Sequence, residues 1–234
     1  MKIVFFVCML LSVKLLYANC PCTLKNERVL EQSDVTALLV MYPQWRVEVV
    51  DNHRQFSSFF SSSWLNSARA LVPIAVTAEQ YQHHPDVILT PDGLTLSIYT
   101  HAQKEVTFKD VSLVQAYKRG FNYTKKKVAL VFRYDELPCS AEEIASFIAQ
   151  NNGWQVDNNG SILIFSCVAP DFLAAAHALQ RCCLLNNIGT QLQEVRLSYG
   201  KCSLTLQSTK NKLISADTIV HAQACHNILK ALKK

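Results

Sequence analysis

Apolar and polar residues follow one another along this chain in two rhythms, one helical and one extended, and the sequence of rhythms comes round twice. Trp45-Arg-Val-Glu-Val-Val reads as a strand. Downstream, Trp64, Leu65, Ala68, Leu71, Val72, Ala75 and Val76 fall at helical spacing and predict a helix over 59–80. A strand pair is expected next, and its clearest member is Leu94-Thr-Leu-Ser-Ile-Tyr-Thr, which alternates with the period of two of a half-buried strand. Thr107 to Asp110 carry the polar residues that cap a helix running from about Val111 through Tyr117. A short helical pattern from Ser33 to Met41, opened by a serine able to cap it, precedes the first strand.

The same order returns in the second half. Ser140 opens a short helical pattern reaching Gln150, and Trp154-Gln-Val and Ser161 to Cys167 read as strands. A helix from Asp171 to Leu185, a strand from Ser203 to Gln207 and a last helix opened by Ser215-Ala-Asp217 complete it. Trp45 and Trp154, like Asp110 and Asp217, lie about 108 residues apart, the fixed offset of an internal duplication. The fold class that follows is α+β, in two tandem domains, each an antiparallel sheet with helices packed on one face. The expected division is a leader over 1–18, a first domain over 30–122, a linker over 123–137 and a second domain over 138–234. Sheets of this kind have exposed edges. Two copies in one chain can pair edge to edge as an intramolecular pseudo-dimer, closing an interface that separate chains would close as a homo-oligomer.

Composition adds a compartment and removes some partners. Lys2 precedes an apolar run from Ile3 to Val13, and Leu16-Tyr17-Ala18 offers a small residue for cleavage, so residues 1–18 read as a secretory signal peptide. The run is too short to span a bilayer comfortably, and no stable membrane association is expected once it is removed. The formal charge of +5 falls to +3 when Lys2 and Lys14 leave with the peptide, which is no nucleic-acid signature. The dense basic run Lys125-Lys126-Lys127 sits in the expected linker and reads as solvated. Export permits disulfides among Cys20, Cys22, Cys139, Cys167, Cys182, Cys183, Cys202 and Cys225, with pairings open and buried free thiols the alternative. Cys20-Pro-Cys22 is too tight for a zinc CxxC pair, and no metal is expected.

Candidate chemistry gathers between Glu79 and Asp110. Glu79, His83, His84, Pro85, Asp86, Thr100, His101 and Asp110 fall within about one supersecondary unit, and three of the seven histidines of the chain are among them. Imidazole, with an ordinary pKa of roughly 6.5, both gives and takes protons near neutrality, so the cluster points first to acid/base chemistry. His53, His177, His221 and His226 read as structural.

Ala78-Glu79, His83-His84-Pro85-Asp86, Thr100-His101, Thr107 and Asp110, with Trp45 and the helix before Glu79, resemble the pterin-4a-carbinolamine dehydratase family over 33–120. The resemblance implies a lyase that removes water from a 4a-hydroxytetrahydrobiopterin-type substrate to give the quinonoid dihydropterin, without metal or organic cofactor. It implies that His83 and His101 are the acid/base pair and that His84 holds the pterin. Glu79 would contact the ring or orient an imidazole, and Asp110 would support His101; Pro85, Asp86 and Thr100 complete the motif. Val87 stands where the family has an aromatic, Pro91 where it has a tyrosine and Glu105 where it has a glycine, which implies a weaker stacking surface for the pterin. The second half resembles the family in frame only, since Gln191, Leu192 and Thr209 fall near the positions of His83, His84 and His101. The alternative for the whole is a noncatalytic, exported pterin-binding or protein-interaction module.

Overall fold

The computed structural model describes residues 27–120, 138–157, 159–169, 171–185, 192–208 and 213–233. The expected signal peptide, Cys20, Cys22, the linker with Lys125 to Lys127, Gln191 and Thr209 lie outside the described residues. In chain order the first half builds α1 (Gln32–Met41), β1 (Arg46–Val50), β2 (His53–Ser61), α2 (Trp64–Tyr81), β3 (Asp86–Thr90), β4 (Gly93–Ile98) and α3 (Phe108–Gly120). The second half builds α4 (Ala141–Gln150), β5 (Trp154–Val156), β6 (Leu163–Val168), α5 (Phe172–Leu184), β7 (Leu192–Ser198), β8 (Lys201–Leu206) and α6 (Ala216–Leu229). Among the described residues no helix is long and apolar enough to cross a membrane.

The sequence pattern missed β2 and β7 and started α2 too early. Phe59 to Ser61 belong to β2, which turns back from β1 through Asp51 and Asn52, both at positive φ (48° and 63°). Two consecutive left-handed residues make the tight hairpin whose twist matches the strands it joins. Ser63, with its hydroxyl accepting from the Asn66 amide at 3.4 Å, then caps α2. The cap of α1 is Glu31 rather than Ser33: Asp34 reaches back to the Glu31 amide at 3.3 Å, and Ser33 lies inside the helix.

Among the described residues all eight strands form one antiparallel sheet in the order β1-β2-β4-β3-β7-β8-β6-β5. At its centre β3 pairs with β7, Val87 opposite Leu197, Ile88 opposite Arg196 and Leu89 opposite Val195. The halves therefore join edge to edge within one chain. Alternate residues Phe56, Val87, Leu89, Leu96, Phe165, Val195, Leu197 and Leu204 are buried on one face, the face the helices cover.

Above the junction α2 packs on α5, and each helix serves the other's backbone. Trp64 donates its indole N–H to the Cys183 carbonyl at 3.2 Å. Pro73 lies inside α2 and has no N–H for the Arg69 carbonyl one turn earlier. The Gln180 side-chain amide of α5 donates there instead, at 3.2 Å to Arg69 and 3.1 Å to Ala68. A net hydrogen bond of this kind contributes about 0.5–1.5 kcal/mol, so Gln180 ties the helix pairing to the proline.

Candidate active site

The site starts where α2 stops. Gln82 adopts the left-handed conformation (φ 48°, ψ 42°), and the His83 amide donates back to the Ala78 carbonyl at 3.0 Å. This turn sends His83 inward, 6% exposed, while His84 stays at the rim and Pro85 fixes the entry into β3. His83 Nε2 meets Asp110 Oδ1 at 2.5 Å; Asp110 is wholly buried. The other oxygen of Asp110 accepts from the Thr107 amide (2.6 Å), the Thr107 hydroxyl (3.0 Å) and the Thr100 hydroxyl (3.0 Å). Thr107 in turn caps α3 through the Lys109 amide at 3.2 Å. One carboxylate therefore closes a helix N-terminus and orients a histidine, and the positive end of the helix dipole favours its charge.

This corrects one assignment: Asp110 holds His83, not His101. Thr100 is bridged to Glu105 and reaches the buried carboxylate, while His101 opens the turn over 101–104 and is exposed. The His101 ring stacks on Tyr99 (centroids 4.2 Å, 30°), and Tyr99 stacks on His53 (4.1 Å, 25°). Burial first, then the charges of Asp86 and Asp51, push the Tyr99 phenol above its ordinary pKa, so it stays protonated at neutral pH. Asp86 thus borders this shelf from the start of β3, and His53, read from sequence as structural, belongs to it.

Glu79 Oε1 lies 3.0 Å from His84 Nε2. Two further rings on His84 come from the second half, Phe172 (4.9 Å, 61°) and Tyr199 (4.7 Å, 37°). No spacing in the sequence pointed to Phe172 or Tyr199, because both arrive through the β3–β7 junction. Of the three family departures, Val87 is a core residue, Pro91 ends β3, and Glu105 binds Arg54 at 2.6 Å, closing the loop after His101.

Residues 28–119 match the family model described as pterin 4 alpha carbinolamine dehydratase. This segment is a domain of that family. A solved structure titled "Crystal structure of transcriptional coactivator/pterin dehydratase from Brucella Melitensis" is 20% identical, with a TM-score of 0.33, covering 39% of this chain and 96% of that one. No curated protein matches the chain.

Outside the dehydratase-family domain, the second half carries a different set at the corresponding places. Ser215 and Thr218 cap α6 reciprocally, their hydroxyls 2.9 Å apart, as Thr107 and Asp110 cap α3. The counterpart of Asp110 is therefore Thr218 rather than Asp217, one residue off the expected alignment. Leu192, at the expected His84 position, is a fully buried core residue.

Proposed function

We propose that the dehydratase-family domain removes water from a 4a-hydroxytetrahydropterin, such as 4a-hydroxytetrahydrobiopterin, and releases the quinonoid dihydropterin by histidine acid/base catalysis. The observation that carries this reading is the buried His83–Asp110 pair beside the His84–Glu79 pair, inside a segment of this family. The reaction breaks the C4a–O bond and one ring N–H bond. Hydroxide leaves readily only when protonated, and the ring nitrogen must release its proton as the new double bond forms.

His83 suits the base. Donating Nε2–H to Asp110 fixes its neutral tautomer and leaves Nδ1 with a lone pair. His101 suits the acid, because its exposed ring regains a proton from solvent after each turnover. His84, tethered by Glu79, lies against the pterin. Each positioned proton transfer is worth about 10²- to 10⁴-fold in rate. The scheme calls on no metal or organic cofactor. In the same reading the two halves descend from one duplicated unit, only the first performs the chemistry, and residues 1–18 direct the protein out of the cytosol.

The test replaces His83 and His101 by alanine, one at a time, and follows loss of a 4a-hydroxypterin generated in the assay. Wild type is expected to exceed the spontaneous rate and each variant to fall toward it. Wild type that binds a pterin without exceeding the spontaneous rate would leave a noncatalytic binding module in place of the enzyme.

A further inference from the structure

We propose that Tyr199, at the tip of the β7–β8 hairpin in the second half, is the stacking wall of the pterin site in the first half. This rests on the pterin reading above and assigns that site a binding residue from outside the dehydratase-family domain. Tyr199 is 64% exposed as a residue, yet its ring lies 4.7 Å from the His84 ring, tilted by 37°. Phe172, a core residue, packs edge-on against the same imidazole at 4.9 Å, and Glu79 fixes the histidine Nε2. An exposed ring held at the rim of an imidazole pair offers a flat heterocycle a surface to lie on.

The sheet register explains why the wall comes from the other half. With Val87 opposite Leu197 in an antiparallel pair, Asp86 falls opposite Ser198, and the hairpin tip that follows falls beside the His84-Pro85 step. The relation is reciprocal: the tip of the β3–β4 hairpin, Pro91-Asp92, runs toward the start of β7 at Leu192. That tip carries proline where its counterpart carries Tyr199. A ring stands at the tip that serves the histidines and none at the tip that faces the half without them.

Binding of 7,8-dihydrobiopterin to full-length protein, by fluorescence quenching, provides the readout, alongside dehydration kinetics. Tyr199→Ala is expected to weaken binding about three- to tenfold and to raise KM by the same factor, with kcat changed less than twofold. Tyr199→Phe, which keeps the ring, is expected to rescue most of the loss. An exposed turn residue leaves the melting temperature unmoved, which separates a lost wall from lost folding. Wild-type binding and turnover with Tyr199→Ala indistinguishable from wild type would overturn the wall and spare the pterin reading. Wild type that neither binds nor dehydrates would overturn the reading and the wall with it.

A separate observation concerns Cys167 and Cys202. They are cross-strand partners on β6 and β8, with Sγ atoms 3.0 Å apart, where the first half pairs Phe60 with Leu94 on β2 and β4. The geometry points to a disulfide between them in an oxidising compartment. Both residues line a groove of about 460 Å³ with Arg196, Ser198 and Lys201; Cys202 is buried and Cys167 half-buried, so an oxidant meets Cys167 first. In exchange with a glutathione disulfide, the first cysteine thiolate displaces one glutathione and the second displaces the other. The Sγ–Sγ bond forms, two protons leave the cysteines and the oxidant departs as two thiols. Folded protein treated with oxidised glutathione, then digested without reduction, is expected to yield a peptide joined through Cys167 and Cys202, with a melting temperature several degrees higher. Cys202→Ser is expected to lose both effects. Persistent free thiols at both positions, or crosslinks through other cysteines only, would overturn it.

Discussion

Replacing Asp110 by asparagine keeps the volume of the most deeply committed side chain in the site and removes its charge. The carboxylate accepts four hydrogen bonds, from His83 Nε2, the Thr107 amide and the Thr100 and Thr107 hydroxyls. An amide oxygen can still serve the threonines, which preserves the α3 cap. The amide nitrogen then faces His83 Nε2, donor against donor, unless the imidazole moves its proton to Nδ1 and stops being a base there. A hydrogen bond to a charged partner contributes about 1.5–3 kcal/mol against about 1 kcal/mol for a neutral one, so the loss at His83 and the weakened threonine bonds sum to about 2–3 kcal/mol. Asp110→Ala, which also orphans a buried histidine and the cap, costs about 3–5 kcal/mol. With a urea slope of about 2–3 kcal/mol/M, the asparagine variant should unfold about 1 M earlier than wild type. Its kcat should fall at least about tenfold with KM little changed, because the base is mis-set while the pterin contacts remain. A variant that loses less than about 0.5 kcal/mol and keeps wild-type kcat would refute the claim that Asp110 sets His83.

Three further outcomes follow. Gly93→Ala places a Cβ into the Phe60 carbonyl and within 2.9 Å of the Phe59 ring, so it should destabilise by about 2 kcal/mol or more, readable by urea melts. Burial holds the Tyr117 phenol well above its ordinary pKa, and it donates to the Ile74 carbonyl at 3.1 Å. A raised folded pKa means that the stability is present below about pH 10 and lost as pH climbs toward the folded pKa, so Tyr117→Phe should cost about 1 kcal/mol at pH 7 and flatten the alkaline fall, measured by melts from pH 8 to 11. Protein recovered from an exporting cell should begin near Asn19, and an intact mass retaining Met1 would contradict export.

The helices and the histidine cluster were legible because they are local. Helical spacing gave α2 and α5, and polar caps gave the starts of α3 and α6, while His83, His84 and His101 lie within nineteen residues of one another. β2 was hidden because Phe-Ser-Ser-Phe-Phe-Ser fits a helical start as readily as a strand, and the Asp51-Asn52 turn that settles it is a backbone choice. The partner of Asp110 was misassigned because Thr100 and His101 are adjacent in sequence, and only the turn over 101–104 takes His101 away from the carboxylate. Tyr199 and Phe172 were out of reach, since they meet His84 only after β3 and β7 pair across more than a hundred residues.

The central claim is that the first half performs chemistry the second half does not, and one measurement addresses it directly. The initial rate of quinonoid dihydropterin formation from a 4a-hydroxytetrahydropterin is recorded against protein concentration, for wild type and for a His83→Gln, His84→Leu variant that carries the second half's residues. The account predicts a rate rising linearly with wild-type protein above the spontaneous background and a flat line for the variant. A flat line for folded wild type, or equal slopes for the two proteins, would contradict it.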